Sequence, residues 1–360
     1  MKKIACLKLY AVCIFTILSF SCFAQVLKVG VAGLNHDHAY GLMSQYERGE
    51  VVLLGIAEPN KELADLYKQR YHLPDSIFYT SVQQMLLHIK PDAVLAYNAT
   101  IDHLSVVEAC APKKIHVMVE KPLATTTQQA NKIFELAKKY NIHVLTNYET
   151  TWYATNQQVY TMVNSDNKIG SIRKMIVHDG HQGPKEIGCS KYFLDWLTDP
   201  VKNGGGALAD FGCYGANLMT WLMNGKAPIS VTAVTKQIKP AVYPKVDDDA
   251  TILLEYPTAT GIVEASWNWP YGIKDMEVFG EKGYLHALNS NTLNAKDTGV
   301  YYKVNVQPYM FKDNLQYFSA VLNGTIKPVN DLSSLENNMI VVRILEAARE
   351  SAKTGKKIVL

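Results

Sequence analysis

Surplus charge of either sign is almost absent from this chain. Lysine and arginine number 36 against 33 aspartates and glutamates, a formal balance of +3. No basic stripe with interleaved aromatics is present, so nucleic acid is not the expected partner. Cysteine is scarce as well. Six occur, three of them within the first 22 residues, and the others (Cys110, Cys189 and Cys213) are scattered without zinc-type spacing. An odd, dispersed set is no disulfide framework, and buried thiols are expected. Repeats and low-complexity linkers are missing too. With 48% hydrophobic and 19% charged residues in 360, the composition is that of a globular chain long enough for two domains.

One long apolar run does occur, from Ile4 to Phe20, behind Lys2-Lys3 and ahead of Cys22-Phe23-Ala24. It is too short and wrongly flanked for a stable membrane span and reads as a secretory signal peptide over residues 1–24, cut before Gln25. Leu18 to Cys22 is also a loose lipobox, so a lipid anchor at Cys22 is the competing expectation. No twin-arginine pair is present, which favours export of the unfolded chain. Either route predicts a periplasmic or otherwise exported protein.

Beyond the leader, short apolar strands alternate with amphipathic helices. Strands are predicted at 26–33, 51–57, 93–96, 116–119 and 143–146, and helices at 39–48, 61–71, 104–110 and 127–140. That alternation predicts a doubly wound parallel sheet over residues 25–147. In such sheets ligands bind outside the carboxyl ends of the strands. There the fourth strand ends in Glu120-Lys121-Pro122, which places a lysine where chemistry can happen; a solvated lysine at a strand end is the bland alternative.

The first strand runs into Gly33-Leu34-Asn35-His36-Asp37-His38. A glycine turn there lets a pyrophosphate approach a helix N-terminus. Glu58, at the end of the second strand, is placed to take ribose hydroxyls and to disfavour NADP. Asn35 and His38 stand where a dinucleotide fingerprint has its second and third glycines, so the turn alone is weak evidence. Asn35 tolerates left-handed backbone angles; His38 would either crowd the helix–strand contact or face a ligand.

From residue 148 the character changes. A helix at 156–164 and a strand at 172–177 lead into a polar loop, His178 to Pro184. Tyr192 to Trp196 follows, then a glycine-rich helix start, Gly204-Gly205-Gly206 to Tyr214. Further strands are predicted near 231–236, 250–256, 261–267 and 275–280, and an amphipathic helix at 335–352 carries Val341, Ile344, Leu345 and Ala348 inward. The second unit, 148–360, therefore reads as an α+β domain with a large, mostly antiparallel open sheet, its last helix free to pack back on the first domain.

Glu-Lys-Pro at the fourth strand, followed by Gly-Gly-Gly and Asp210-x-Gly212 in an α/β second half, resembles the glucose–fructose oxidoreductase / inositol dehydrogenase / rhizopine-catabolism (Gfo/Idh/MocA) superfamily. The resemblance covers essentially the whole chain after the leader, including the closing Ile344 to Lys356. It implies nicotinamide chemistry on sugars or polyols, with Lys121 beside the reacting carbinol, Asp210 contacting substrate and Tyr214 standing where many members carry a histidine acid/base. Asp210 and Tyr214, at i and i+4, share one helix face. Tyrosine is the poorer base unless Lys121 lowers its pKa, and a packing role for Tyr214 stays open. The resemblance further implies NAD held by Gly33, Leu34, Asn35, His36, Glu58, Asn98, His103, Glu120 and Lys121. Asn98-Ala99 departs from the family's Thr-Pro, and Asn147 to Trp152 replaces an arginine-containing loop, so substrate contacts transfer less directly. His181, Tyr192 and Trp196 are the expected substrate-side residues, and a homo-oligomer is expected by resemblance. A metal shared by His36, His38 and His181 is conceivable, but no spacing demands it, and none is expected.

The leading expectation is an exported NAD-dependent oxidoreductase acting on a secondary hydroxyl of a sugar or glycoside, or on the keto-sugar. Because free nicotinamide cofactor is not plentiful outside the cytoplasm, a captive cofactor is expected. Two competitors remain: an NAD-assisted glycosidase or lyase working through a transient keto-sugar, and a sugar-binding protein without catalysis.

Overall fold

The computed structural model describes residues 26–297 and 299–360, so the leader and Cys22 lie outside the described residues. The chain builds two sheets. The first unit alternates β1 (Leu27–Ala32), α1 (Ala39–Glu47), β2 (Val51–Ala57), α2 (Lys61–Tyr71), β3 (Phe78–Tyr79), α3 (Val82–His88), β4 (Ala93–Ala96), α4 (His103–Cys110), β5 (His116–Glu120), α5 (Thr127–Tyr140) and β6 (Val144–Asn147). Its six strands pair in the order β3-β2-β1-β4-β5-β6, all parallel. Near-continuous apolar strands suit a sheet covered on both faces, and β4 is buried at every position. The register sets Ala32 opposite Ala57 and Ala96, and Glu120 opposite Asn147. All the carboxyl ends therefore line one edge. The expected elements recur with boundaries shifted by at most a residue or two; β3 and α3 are additions.

The second unit contains α6 (Ala154–Tyr160), β7 (Ile172–Gly180), α7 (Lys191–Leu197), α8 (Ala207–Asp210), α9 (Gly212–Leu222), β8 (Ser230–Lys236), β9 (Asp249–Glu255), β10 (Thr260–Ser266), β11 (Ile273–Gly280), β12 (Tyr284–Ala287), β13 (Leu293–Lys296), β14 (Tyr301–Lys303), α10 (Asn314–Leu322), α11 (Leu335–Thr354) and β15 (Ile358–Val359). Nine strands form one sheet, ordered β14-β13-β12-β11-β7-β10-β9-β8-β15, antiparallel throughout except for the β7–β10 pair. The fold class is as expected, an N-terminal Rossmann domain beside a large, mostly antiparallel open sheet. Residues of α9 and α11 bury one face of it.

Two differences matter for the site. β7 does not stop at Val177: it runs on through His178, Asp179 and Gly180, paired on both sides by β10 and β11. The polar residues that suggested a loop are tolerated because the ladder on each side takes up their backbone groups. At Gly180 a Cβ would lie 2.4 Å from the Ser266 carbonyl oxygen, so only glycine admits that approach. The second difference is α10. Leu315, Tyr317, Phe318 and Val321 join the core of the first sheet with Val29, Val31 and Leu42, although they come late in the chain. α11 also bridges the units: Val341, Ile344, Leu345 and Ala348 are buried as expected, while Arg349 Nη2 donates to the Thr125 carbonyl at 2.7 Å.

Candidate active site

At the carboxyl edge of the parallel sheet, β5 delivers Lys121 against the end of α8. Lys121 Nζ donates to Asp210 Oδ1 and, at 3.2 Å, to the Asp210 carbonyl; Trp267 Nε1 donates to Asp210 Oδ2 at 3.0 Å. Lys121 is 6% exposed and Asp210 5%. The bland reading of a solvated strand-end lysine is thus excluded. Burial would raise the Asp210 pKa, but the Lys121 charge and the two side-chain hydrogen bonds outweigh it and hold the carboxyl below its ordinary value. Burial would lower Lys121; the Asp210 charge outweighs that and holds the ammonium protonated. Trp267 is thereby a partner of the site.

Tyr214 sits on α9 as the i, i+4 spacing predicts, but its environment overturns one expectation. Burial first, then the charges of Asp179 and Glu149, push its pKa well above the phenol's ordinary value. A lowering by Lys121 does not prevail over that burial. Its ring instead receives two ammonium groups, Lys121 Nζ 5.1 Å and Lys274 Nζ 4.7 Å from the centroid, a cation–π arrangement.

Lys274 lies on β11 directly across the ladder from Asp179 of β7. Lys274 Nζ also pairs with Glu149 Oε2, and Tyr153 donates its hydroxyl to Glu149 Oε1 at 2.6 Å. Asp179 is 1% exposed, and its Oδ1 has no hydrogen-bond partner. Burial pushes its pKa up to about 8, with Lys274 and Lys121 offsetting only part and Glu149 and Asp210 adding to it. Asp179, Lys274 and Glu149 were not found from sequence. No motif marks them; only the β7–β11 register brings Asp179 and Lys274 together.

The cofactor-side residues gather around the first turn. Gly33 has φ +76°, and a Cβ there would lie 2.6 Å from Asn98 Cβ, so glycine is required by both conformation and space. Asn35 does not take a positive φ, so its tolerance of that region goes unused. The Leu34 amide donates to Glu58 Oε2 at 2.8 Å and the Asn60 amide to Oε1 at 2.8 Å. Burial raises the Glu58 pKa and these amides partly offset it. The His36 amide donates to the Tyr97 carbonyl at 3.0 Å. Part of the turn's donor set is therefore spent inside the protein.

His38 faces the cleft instead of crowding the helix: its Nδ1 lies 2.9 Å from Glu120 Oε2, and Asn147 Nδ2 donates to Glu120 Oε1 at 2.8 Å. Burial favours a neutral Glu120, but His38 and Asn147 outweigh it and lower its pKa. An open cleft of about 640 Å³ reaches from His38 and Glu120 to Glu149, Trp152 and Asn314.

The remaining polar atoms indicate what the site can hold. Asn35 Oδ1, Asn98 Oδ1, His36 Nε2 and His103 Nε2 are buried without partners. His36 Nδ1 accepts from the His38 amide at 3.1 Å, so Nε2 carries the proton and is an orphan donor. His103 Nδ1 lies 3.2 Å from the Leu123 carbonyl and must donate, leaving Nε2 an orphan acceptor. Burial lowers the pKa of both rings, His103 to about 4, so each stays neutral. One donor and three acceptors, orphaned beside a glycine turn and a helix N-terminus, suit a ligand rich in amide and hydroxyl groups, as a nicotinamide dinucleotide is.

Several expected substrate contacts lie elsewhere. Trp196 donates through Nε1 to the Asn35 carbonyl at 3.0 Å, and its ring centroid is 5.5 Å from that of His36, so it walls the glycine turn. Tyr192, half-buried, packs against the core of the first sheet beside Lys191 and Glu62. His181 does join the site, edge-on to Phe211 at 4.8 Å, with Nδ1 accepting from the Gly183 amide at 2.9 Å. His178 points to the opposite face of the sheet. The histidine cluster weighed for a metal changes membership: His36, His38 and Glu120 bring ligand atoms within 4.8 Å of one another. Hydrogen bonds already engage Nδ1 of both rings, and no metal is assigned.

Comparison with known proteins gives two family matches. Residues 26–148 match the NAD-binding Rossmann fold of an oxidoreductase family, and residues 156–286 match the GFO/IDH/MocA C-terminal domain. Trans-1,2-dihydrobenzene-1,2-diol dehydrogenase of Xenopus laevis is 27% identical over 206 residues; the match spans 57% of this chain and 57% of that relative's length. Among solved structures, an aldose-aldose oxidoreductase from Caulobacter crescentus complexed with glycerol has a TM-score of 0.78 at 22% identity, covering 93% of this chain and 99% of that one. An inositol dehydrogenase homolog complexed with NAD+ from Azotobacter vinelandii has a TM-score of 0.80 at 18% identity, covering 94% and 98%.

Proposed function

This chain belongs to the GFO/IDH/MocA oxidoreductase family, and from that premise we propose that it is an NAD-dependent oxidoreductase acting on a secondary hydroxyl of a sugar, glycoside or polyol, or on the corresponding ketone. The observation that carries the reading is the buried Lys121–Asp210–Trp267 set beside the orphaned Asn35, Asn98, His36 and His103 atoms. The glycine turn, Glu58, Asn98, His103 and Glu120 would hold the dinucleotide, which when bound supplies the hydride acceptor. Lys121 would lie against the reacting oxygen and stabilise the alkoxide that forms as the carbon–hydrogen bond weakens. Asp210 fixes that ammonium, and Trp267 fixes Asp210. Two cations near one aromatic wall suit a polyhydroxylated substrate whose reacting oxygen gains negative charge.

The reading extends to a captive cofactor. From α7, Ser190 donates through its amide and Oγ to Asp37, at 2.8 and 2.6 Å, and Trp196 bonds the Asn35 carbonyl. These contacts draw a segment of the second unit over the dinucleotide turn and support slow exchange. A retained cofactor, reduced and reoxidised in place, fits an exported protein, and the apolar N-terminal run supports export. The exposed face of the large sheet suits association with a second copy.

The test is to purify the chain from Gln25, denature it and identify any nucleotide released. Stoichiometric NAD, followed by its reduction on addition of myo-inositol or a methyl glucoside, is the expected result. Protein that carries no nucleotide and binds none when NAD is added would overturn the reading.

A further inference from the structure

A second pocket, of about 440 Å³, lies outside the site described above, between the end of β8, the turn at 245–247, the glycine-rich turn and α11. Four cations line it, Lys236, Lys245, Arg349 and Lys353, against a single acid, Asp247. That carboxylate is already in use. Asp247 Oδ1 accepts from the Gly206 amide at 2.9 Å and Oδ2 from the Leu208 amide at 2.7 Å, which caps the start of α8.

The cations themselves have no acidic partner. Lys236, Lys245 and Lys353 are exposed and form no ion pair among the described residues. Exposed lysines alone are ordinary solvated charges. Arg349 differs, because it is half-buried and burial lowers its guanidinium pKa, with Glu346 and Asp247 opposing that only from a distance. Glu346 Oε2 is turned instead to the Thr127 amide, at 3.2 Å. A charge withdrawn from water calls for a counter-charge. Here Nη2 donates to the Thr125 carbonyl at 2.7 Å, and no other N–H of this five-donor side chain has a partner among the described residues. Gly204, at φ +80°, lets the turn approach the guanidinium closely, since a Cβ there would lie 3.3 Å from Arg349 Nη1.

We propose that this pocket binds a small, multiply charged oxyanion, with Arg349 as its anchor and the three lysines as its rim. The guanidinium fork can meet two oxygens of one phosphate or carboxylate group. Four positive charges around one concave wall concentrate anions there, and the volume is that of a small-molecule site. The position also gives the ligand a hold on the active site. Thr125 follows Lys121 by four residues and Leu208 precedes Asp210 by two. A bound anion therefore ties together the two segments that carry the Lys121–Asp210 pair. The site needs no nucleotide and goes beyond the oxidoreductase reading.

The experiment titrates the purified protein with inorganic pyrophosphate and, separately, with citrate, by calorimetry and by the unfolding midpoint at low ionic strength. Wild type should bind at least one of the two, with the midpoint raised by the bound ion and affinity falling as salt is added. Preference for pyrophosphate would support a phosphate ligand, and preference for citrate a carboxylate one. Lys236→Ala combined with Lys353→Ala should leave the midpoint of the unliganded protein unchanged and weaken binding roughly tenfold or more. Arg349→Lys, which keeps the charge and loses the fork, should weaken it further. Pyrophosphate held at the dinucleotide turn would be indifferent to the lysine substitutions, so affinity unchanged in that double variant would overturn the proposal. Absence of binding by both ions in wild type would overturn it as well.

Discussion

Two successive residue pairs on the β7–β11 ladder treat an aspartate in opposite ways. Asp179 lies across from Lys274 and His178 across from Asp275. Neighbouring positions on a strand point to opposite faces, so the first pair looks into the active site and the second outward. Asp275 accepts from His178 Nδ1 at 2.6 Å and from His286 Nε2 at 3.0 Å. Burial would raise its pKa, but those two rings lower it to about 2. Asp179, without a hydrogen bond at Oδ1, is pushed up to about 8. A cation across the ladder does not by itself hold a carboxylate ionised; direct hydrogen bonds do. At Asp210, inside the site, burial is overcome first by the Lys121 charge and then by the hydrogen bonds from Lys121 and Trp267.

The largest break in this pattern comes from Lys121→Met. Asp210 would stay buried with one of its partners gone, which costs about 3–5 kcal/mol for a buried pair. Turnover should fall by roughly a thousandfold or more if Lys121 has its proposed role of stabilising the developing alkoxide. Denaturant unfolding and single-turnover hydride transfer measure the two effects separately. Adding Asp210→Leu should recover most of the stability and none of the turnover. Full recovery of both would show Lys121 to be structural.

Next in size, and opposite in sign, is Asp179→Asn. An unfolded aspartate releases its proton near its ordinary value, whereas folded Asp179 keeps it to about 8. Between those limits the native state binds more protons, so wild-type stability falls as pH rises, by about 1.4 kcal/mol per unit at most. The asparagine variant loses that slope and should be the more stable protein at pH 8, read by thermal unfolding across pH 5–9. An unchanged slope would mean that water or a neighbour already satisfies the carboxyl.

Asp275→Asn tests the outward pair. Its depressed pKa stabilises the fold above the unfolded value, and that contribution is lost as pH falls toward 2. The His178 pKa is raised by its hydrogen bond to Asp275, so its share is present below the ordinary histidine value and lost as pH rises through the folded one. The expected cost of the substitution is about 1–2 kcal/mol near pH 6, shrinking in both acid and alkali.

These contrasts also explain what could be read from the chain alone. Glu120-Lys121-Pro122 stood out because it ends a predicted strand, Asp210 because the family resemblance carries it, and the alternation of apolar runs with helical periods gave the parallel sheet. Asp179 and Lys274 are separated by 95 positions and no motif links them, and the polar run after Val177 reads as a loop because nothing local shows that β10 and β11 flank it. Tyr214 was placed on the correct helix face, yet its proton affinity depends first on burial and then on Asp179 and Glu149, which that helix does not contain. Trp196 was assigned to substrate by its neighbourhood in sequence; the turn of α7 toward Asn35 decides otherwise. Local pattern fixes elements, whereas the site's protonation states arise from long-range register.

Lys274→Met should have the smallest effect on stability. Its hydrogen-bonded partner, Glu149, is 49% exposed in the side chain, so water can solvate the carboxylate once the ammonium is gone. A pair with one such partner contributes about 1 kcal/mol or less, well below the cost expected at Lys121, although both ammonium groups rest against the same Tyr214 ring. The unfolding midpoint of Lys274→Met at pH 6 should therefore lie close to that of wild type. At pH 8 it should lie lower, because the lost cation leaves Asp179 harder to ionise and steepens the pH slope of stability. Combining Lys274→Met with Asp179→Asn should remove that pH-dependent part and leave only the small Glu149 contribution. If the double variant keeps the steeper slope, Lys274 acts through Glu149 and not through the carboxyl across the ladder.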